Sequence, residues 1–178
     1  MHKYIEEFTQ VIRNCEMENS YKMAWARSLV EHSVFHPNQK EIHFDDLAPL
    51  IFKYYWNQTI FFQLEQGPNP HKRPKIHQIV KDKIDEYQTV YGNQPVFFSR
   101  VEDKVDLKVS QISTVLGLDV SWRFQKIGSN EYRFYDLDRK NRTLLLYHPE
   151  LMSRYSDILF ELINYRWSQK LEDFNAAP

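Results

Sequence analysis

Residues 121–147, SWRFQKIGSNEYRFYDLDRKNRTLLLY, decide the fold class. Trp122 to Ile127 alternates between apolar and polar positions, and Gly128-Ser129-Asn130 carries a turn signal. Tyr132 to Leu137 alternates again, Asp138 to Arg142 is a polar turn, and Thr143 to Tyr147 is a third apolar run. This spacing predicts a three-stranded antiparallel meander inside a chain that otherwise reads as helix, apart from a short extended piece at Glu41-Ile42-His43-Phe44.

Working outward, His148-Pro149-Glu150 opens a long last helix with proline at its first position. Leu151, Tyr155, Ile158, Leu159, Leu162, Tyr165 or Arg166, and Leu171 mark its expected buried face. On the other side, residues 97–118 read as a weak helix, and Lys75 to Tyr91 as a firm one stopped by Gly92-Asn93. Three prolines and a glycine between Gln66 and Pro74 make a loop. Asp45-Asp46 is expected to cap a helix running to about Leu64, with Pro49 in its first turn. Asn19-Ser20 caps an earlier helix whose apolar residues cover several faces, so burial on most sides is expected. Tyr4, Ile5, Phe8, Val11 and Ile12 begin the chain at helical spacing. The expected class is α+β, mostly α-helical, with a small three-stranded antiparallel sheet before a long C-terminal helix. One domain over 1–178 divides into a helical part (1–92), a helix plus β-meander (93–147), a C-terminal helix (148–174) and the start of a linker (175–178).

A 178-residue chain with 42% hydrophobic and 26% charged residues can bury a proper core and is not a disordered one. Its formal net charge of −1 supplies no overall pull toward nucleic acid or membrane. The lone Cys15 excludes an intramolecular disulfide framework and a multi-thiolate zinc site. Met1 to Glu7 carries acids and no apolar h-region, and no run approaches the length of a membrane span. A soluble, cytoplasmic protein without a membrane partner is expected.

Local patterns carry the functional reading. Residues 71–83 hold Lys72, Arg73, Lys75, Lys81 and Lys83 against Asp82 alone. Residues 121–142 hold Arg123, Lys126, Arg133, Arg139, Lys140 and Arg142 against three acids. Cations on loops and hairpins can approach phosphates closely, so Lys72, Arg73, Lys75, Arg123, Arg133, Arg139, Lys140 and Arg142 are the candidate DNA contacts. The bland counterpart is a solvated basic loop. Tyr54 to Phe62 offers stacking platforms for bases, although helical spacing favours core.

Catalytic patterns are thinner. Asp119, Asp138 and Lys140 mimic the PD-(D/E)xK string, in which two carboxylates hold Mg²⁺ beside a lysine. Asp138 and Lys140 fall in the expected hairpin tip, without a rigid strand beneath. His32 and His36, four apart, share a helix face with His43 or Asp45 as a third metal ligand, against the simpler reading of a surface pair. Val109 to Gln125 resembles a helix-turn-helix whose second helix has the alternation of a strand. No GxSxG motif is present.

Asn19 to Ala24, Lys53 to Gln58, Leu64 to Gly67, Asp119 to Phe124 and Arg166 to Asn175 follow one another in an order that resembles the N-terminal region of bacterial HNH-family endonucleases. The resemblance spans nearly the whole chain. It implies a recognition or regulatory domain of a restriction or antiphage-defence nuclease. A C-terminal HNH module, in cis or in trans, would hold the divalent metal and cut the DNA. No catalytic residue carries over, because the HNH motif has no counterpart here, and no cofactor is expected in this chain. Double-stranded DNA is the expected partner. The competing reading is a protein-interaction module that docks a partner or homodimerises through its aromatic helices. Steep salt dependence would mark the first reading, and indifference to salt the second.

Overall fold

The computed structural model describes residues 1–176. The chain begins with α1 (Lys3–Asn14), α2 (Tyr21–Phe35), β1 (Glu41–His43), α3 (Phe44–Phe62) and α4 (Lys75–Tyr91). After two single 3₁₀ turns, at Phe98–Arg100 and Glu102–Lys104, come α5 (Val109–Leu118) and α6 (Val120–Arg123). The strands β2 (Lys126–Ile127), β3 (Asn130–Glu131), β4 (Tyr135–Asp138) and β5 (Thr143–Leu146) follow, then α7 (Pro149–Arg154) and α8 (Ser156–Phe174). The expected class is met: α+β, mainly helical, with one three-stranded antiparallel sheet and a long last helix.

The strands are assigned differently from the expected meander. The three-stranded sheet has the order β1-β5-β4, and β2-β3 is a separate hairpin. Ile42 faces Leu144 across β1 and β5, while Leu137 faces Leu144 across β4 and β5. Residues 120–123 are helical rather than extended. Val120 and Phe124, four apart, are both buried, and Asp119 pairs with Arg123 at 2.9 Å over the same spacing. The alternation of Trp122 and Phe124 placed both rings on one face of a strand, whereas the helical turn buries Phe124 and leaves Trp122 half-buried at the surface.

Nearly every face of α2 is buried, as its sequence implies, and it packs against α3, α7 and α8. Ser20 precedes it without capping it: Asn19 Oδ1 accepts the Tyr21 N–H, and the Ser20 hydroxyl is used elsewhere. Helix α3 begins earlier than expected, capped by His43 rather than Asp45 or Asp46: its Nδ1 accepts the Asp45 N–H at 3.0 Å. Pro49 therefore lies beyond the first turn, where it removes one helical hydrogen bond.

The last helix is broken at Tyr155, which resets its phase. Leu159, Ile163 and Trp167 are buried, whereas Ile158 and Tyr165 from the expected face are exposed. Of the expected linker, residues 177 and 178 lie outside the described residues. Asn175 ends α8 and clamps the backbone of Glu65: its Oδ1 accepts the Glu65 N–H and its Nδ2 donates to the Glu65 carbonyl. Among the described residues, no helix is long and apolar enough to cross a membrane.

Candidate functional site

The short helix α6 presents Trp122 at the end of α5. The indole N–H donates to the Leu118 carbonyl at 3.0 Å, which satisfies one orphan acceptor at the α5 C-terminus. Arg139, from the β4–β5 turn, donates through Nε to the neighbouring Gly117 carbonyl at 2.9 Å. Three cations surround the ring: Arg123, Lys126 and Arg139 lie 5.0, 5.5 and 5.7 Å from its centroid. A π-face attracts each cation, and each contact is worth about 0.5–1 kcal/mol at the surface. Chain segments that are distant in sequence, Trp122–Lys126 and Arg139, thus make one basic aromatic knob.

Beside this knob, Tyr21, Asp119, Arg123 and Lys126 line a surface cleft. The Tyr21 hydroxyl accepts the Ile76 N–H at 2.8 Å, so the same ring holds the first turn of α4, where the basic loop ends. Lys72 and Lys75 on that segment are exposed, as is Lys140 on the β4–β5 turn. Within the knob, Arg123 pairs with Asp119 at 2.9 Å and Lys126 with Glu131 at 3.4 Å, and the remaining predicted contacts are likewise engaged within the molecule. Arg73 binds Glu65 through Nε and Nη2, with the shortest contact at 2.7 Å. Arg133 pairs with Asp136 at 3.0 Å and donates to the Tyr147 hydroxyl. Arg142 takes a left-handed backbone, φ 56°, and its carbonyl accepts the Phe44 N–H. Its main role is to join the turn to α3.

The PD-(D/E)xK candidates also have local partners. Asp119 is the ion partner of Arg123. Asp138 accepts the side-chain and backbone N–H groups of Asn141, which hold its carboxyl below the usual carboxylate range. Lys140 is exposed on that turn. His32, His36, Asp45 and Asp46 line one surface cleft, with the two imidazole centroids 4.7 Å apart. Among the described residues, no group of three His, Cys, Asp or Glu side chains has the geometry to hold a metal ion. The helix-turn-helix pattern ends in a single turn, α6, too short to serve as a recognition helix.

Four of the five motifs that carry the resemblance converge in the interior, and the fifth, Asp119 to Phe124, contributes the surface knob. Gln66 Oε1 accepts from the Ser20 hydroxyl at 2.6 Å and from Trp167 Nε1 at 3.0 Å. Ser20 also shares a 2.8 Å hydrogen bond with the Tyr55 hydroxyl, and Gln66 Nε2 donates to Gln58 Oε1. Burial pushes the Tyr55 phenol well above its ordinary range, so it stays neutral as a hydrogen-bonding group. Ser20, Tyr55, Gln66 and Trp167 come from four separate segments and form one satisfied buried network.

A second polar feature lies between α3 and α4. A cavity of about 420 Å³ is lined by residues that include Thr59, Ile60, Glu65, Arg73, His77 and Ile84. Thr59 Oγ1 and both ring nitrogens of His77 are buried without a hydrogen-bond partner. Burial lowers the His77 pKa to about 4, so its imidazole is neutral at pH 7. Sequence reading missed this site, because neither residue stands in a recognisable motif. No family model, curated protein or solved structure matches this chain.

Proposed function

We propose that this chain is a DNA-engaging domain of an HNH-type endonuclease and is itself non-catalytic. The observation that carries the reading is the Trp122 ring surrounded by Arg123, Lys126 and Arg139. A partly exposed aromatic ring among cations suits a phosphate backbone with a stacked base or sugar edge. Lys72, Lys75 and Lys140 add exposed positive charge, and the ordered motif resemblance supports the same reading. Double-stranded DNA is then the partner, and an HNH module in cis or in trans supplies the metal and the cutting chemistry. A cytoplasmic, antiphage role belongs to the same proposal.

Titrating the chain against a labelled duplex at several salt concentrations tests it. The log–log salt slope should be steep, and it should fall by about 0.9 for each phosphate-bound cation removed, as in Lys72→Ala with Lys75→Ala. No binding at low salt overturns the reading. With Mg²⁺, Mn²⁺ or Zn²⁺ the chain alone should leave the duplex uncut. Cleavage that disappears in Asp138→Ala would instead promote the Asp119, Asp138, Lys140 nuclease.

A second reading, a protein-interaction module, rests on a separate surface. Phe62 and Phe97 are 72% and 55% exposed, and the Phe97 ring lies 4.6 Å from that of Phe61. Partner or self-association through this patch would persist at high salt and disappear in Phe62→Ser with Phe97→Ser.

A further inference from the structure

We infer that the cavity between α3 and α4 is a receptor for one uncharged nucleobase, supplied as a free nucleoside or as a nucleotide extruded from DNA. The extruded source rests on the DNA-engaging reading, whereas the free source does not. Among the described residues, three of the six buried side-chain atoms without partners belong to Thr59 and His77, and both residues line this cavity. These atoms are buried in the wall of the cavity rather than open to it, and orphaned polar groups there are an unfavourable feature which a ligand that reaches them relieves.

The chemistry of the lining selects the ligand. Arg73 and Lys81 are balanced by Glu65 and Asp85, so no net charge calls for an ion. A neutral imidazole offers one donor and one acceptor, and the Thr59 hydroxyl offers both. The two imidazole nitrogens point apart, so one of them, together with the Thr59 hydroxyl, can meet the neighbouring donor and acceptor of a base edge. Ile60 and Ile84 supply apolar wall for a planar ring, and about 420 Å³ falls within the range of small-molecule sites.

Access follows from the Glu65–Arg73 pair. His77 is 1% exposed, and Glu65 Oε2 stands 3.9 Å from its Nδ1. A base reaches the imidazole when this pair moves aside. Arg73 can then exchange the carboxylate for a phosphate of the same nucleotide, beside the exposed Lys72 and Lys75. Extrusion would cost a few kcal/mol of unstacking, least where the base is already unpaired.

The test uses the full chain in two arms. Calorimetry with the four free deoxynucleosides should give saturable binding of at least one. Thr59→Val and His77→Phe, both checked for native melting, should each weaken it at least tenfold. In the second arm, a duplex with one unpaired base should bind at least tenfold tighter than its fully paired counterpart, and Thr59→Val should abolish that preference without lowering affinity for the paired duplex. Nucleoside binding without duplex binding keeps the receptor and discards the DNA reading. Duplex binding with neither nucleoside binding nor unpaired-base preference overturns the receptor alone. Binding that survives both substitutions places the ligand elsewhere and also overturns it. Absence of binding in both arms overturns the two readings together.

Discussion

Two clusters in this protein each hold a tryptophan and differ in what surrounds it. Around Gln66, the side chains of Ser20, Tyr55 and Trp167 are at most 2% exposed and every shared polar atom has a partner. Around Trp122, Arg123, Lys126 and Arg139 are exposed and the ring lies at the surface. In the interior, aromatic and amide groups fix the positions of four chain segments, because leaving any of them unpaired costs a desolvation penalty. At the surface, similar rings and polar groups cost little to expose and remain available to a partner. An aromatic motif in sequence is therefore ambiguous until burial is known.

Truncating the interior should have the largest effect. Tyr55→Ala removes a fully buried ring and should cost about 3–5 kcal/mol in urea unfolding, leaving the Trp122 surface intact if the mutant folds. A loss below about 1 kcal/mol would show that this region is not the rigid half of the comparison.

Acid should act on the buried side next. The folded His77 titrates at about 4 against an ordinary 6.5, so between these values the unfolded chain binds a proton that the folded one refuses. Stability is thus complete above about pH 6.5 and falls as the pH drops toward 4, by about 3 kcal/mol in total. Denaturant melts across this window should show the loss, and His77→Phe should flatten the profile over the same range.

A smaller effect is expected from the network's hub. Gln66→Ala leaves the Trp167 N–H and Gln58 without their partner and should cost about 2–3 kcal/mol. Tyr55→Phe, which keeps the ring and removes one hydroxyl bonded to Ser20, should cost about 1 kcal/mol. Equal losses from the two would mean that Gln66 is not the junction.

The smallest change in stability belongs to the surface cluster. Trp122→Ala should alter unfolding by about 1 kcal/mol, since the three cations that share the ring also repel one another, so their contacts do not sum, and one helix-end hydrogen bond is lost. Duplex affinity should nevertheless fall tenfold or more, by analogy with base–aromatic stacking worth about 1–3 kcal/mol. A variant that unfolds without losing affinity would reverse the contrast between the two regions.

Helical periods and breakers made most elements legible in the sequence alone: α4 matches its expected bounds, and the loop from Gln66 to Pro74 lies where prolines and glycine cluster. A local period reports the face of a single element, and that information is contained in neighbouring residues. Three features were decided only by distant packing. Strand β1 pairs with β5 about a hundred residues later, a break at Tyr155 rotates the buried face of α8, and packing of Phe124 against Phe8 and Phe134 selects the helical i,i+4 pairs at 119–124 over an alternating strand. The sites divide in the same way. The basic residues were visible as charge runs, but that Arg73 is half-buried against Glu65 while Lys72 and Lys75 stay exposed is decided by how the loop packs. Thr59 and His77, eighteen positions apart and without a motif, meet at one cavity because α3 and α4 pack together. Sequence spacing determines what one segment can bury. Only the packed tertiary structure determines which polar groups lose water and which remain free to bind.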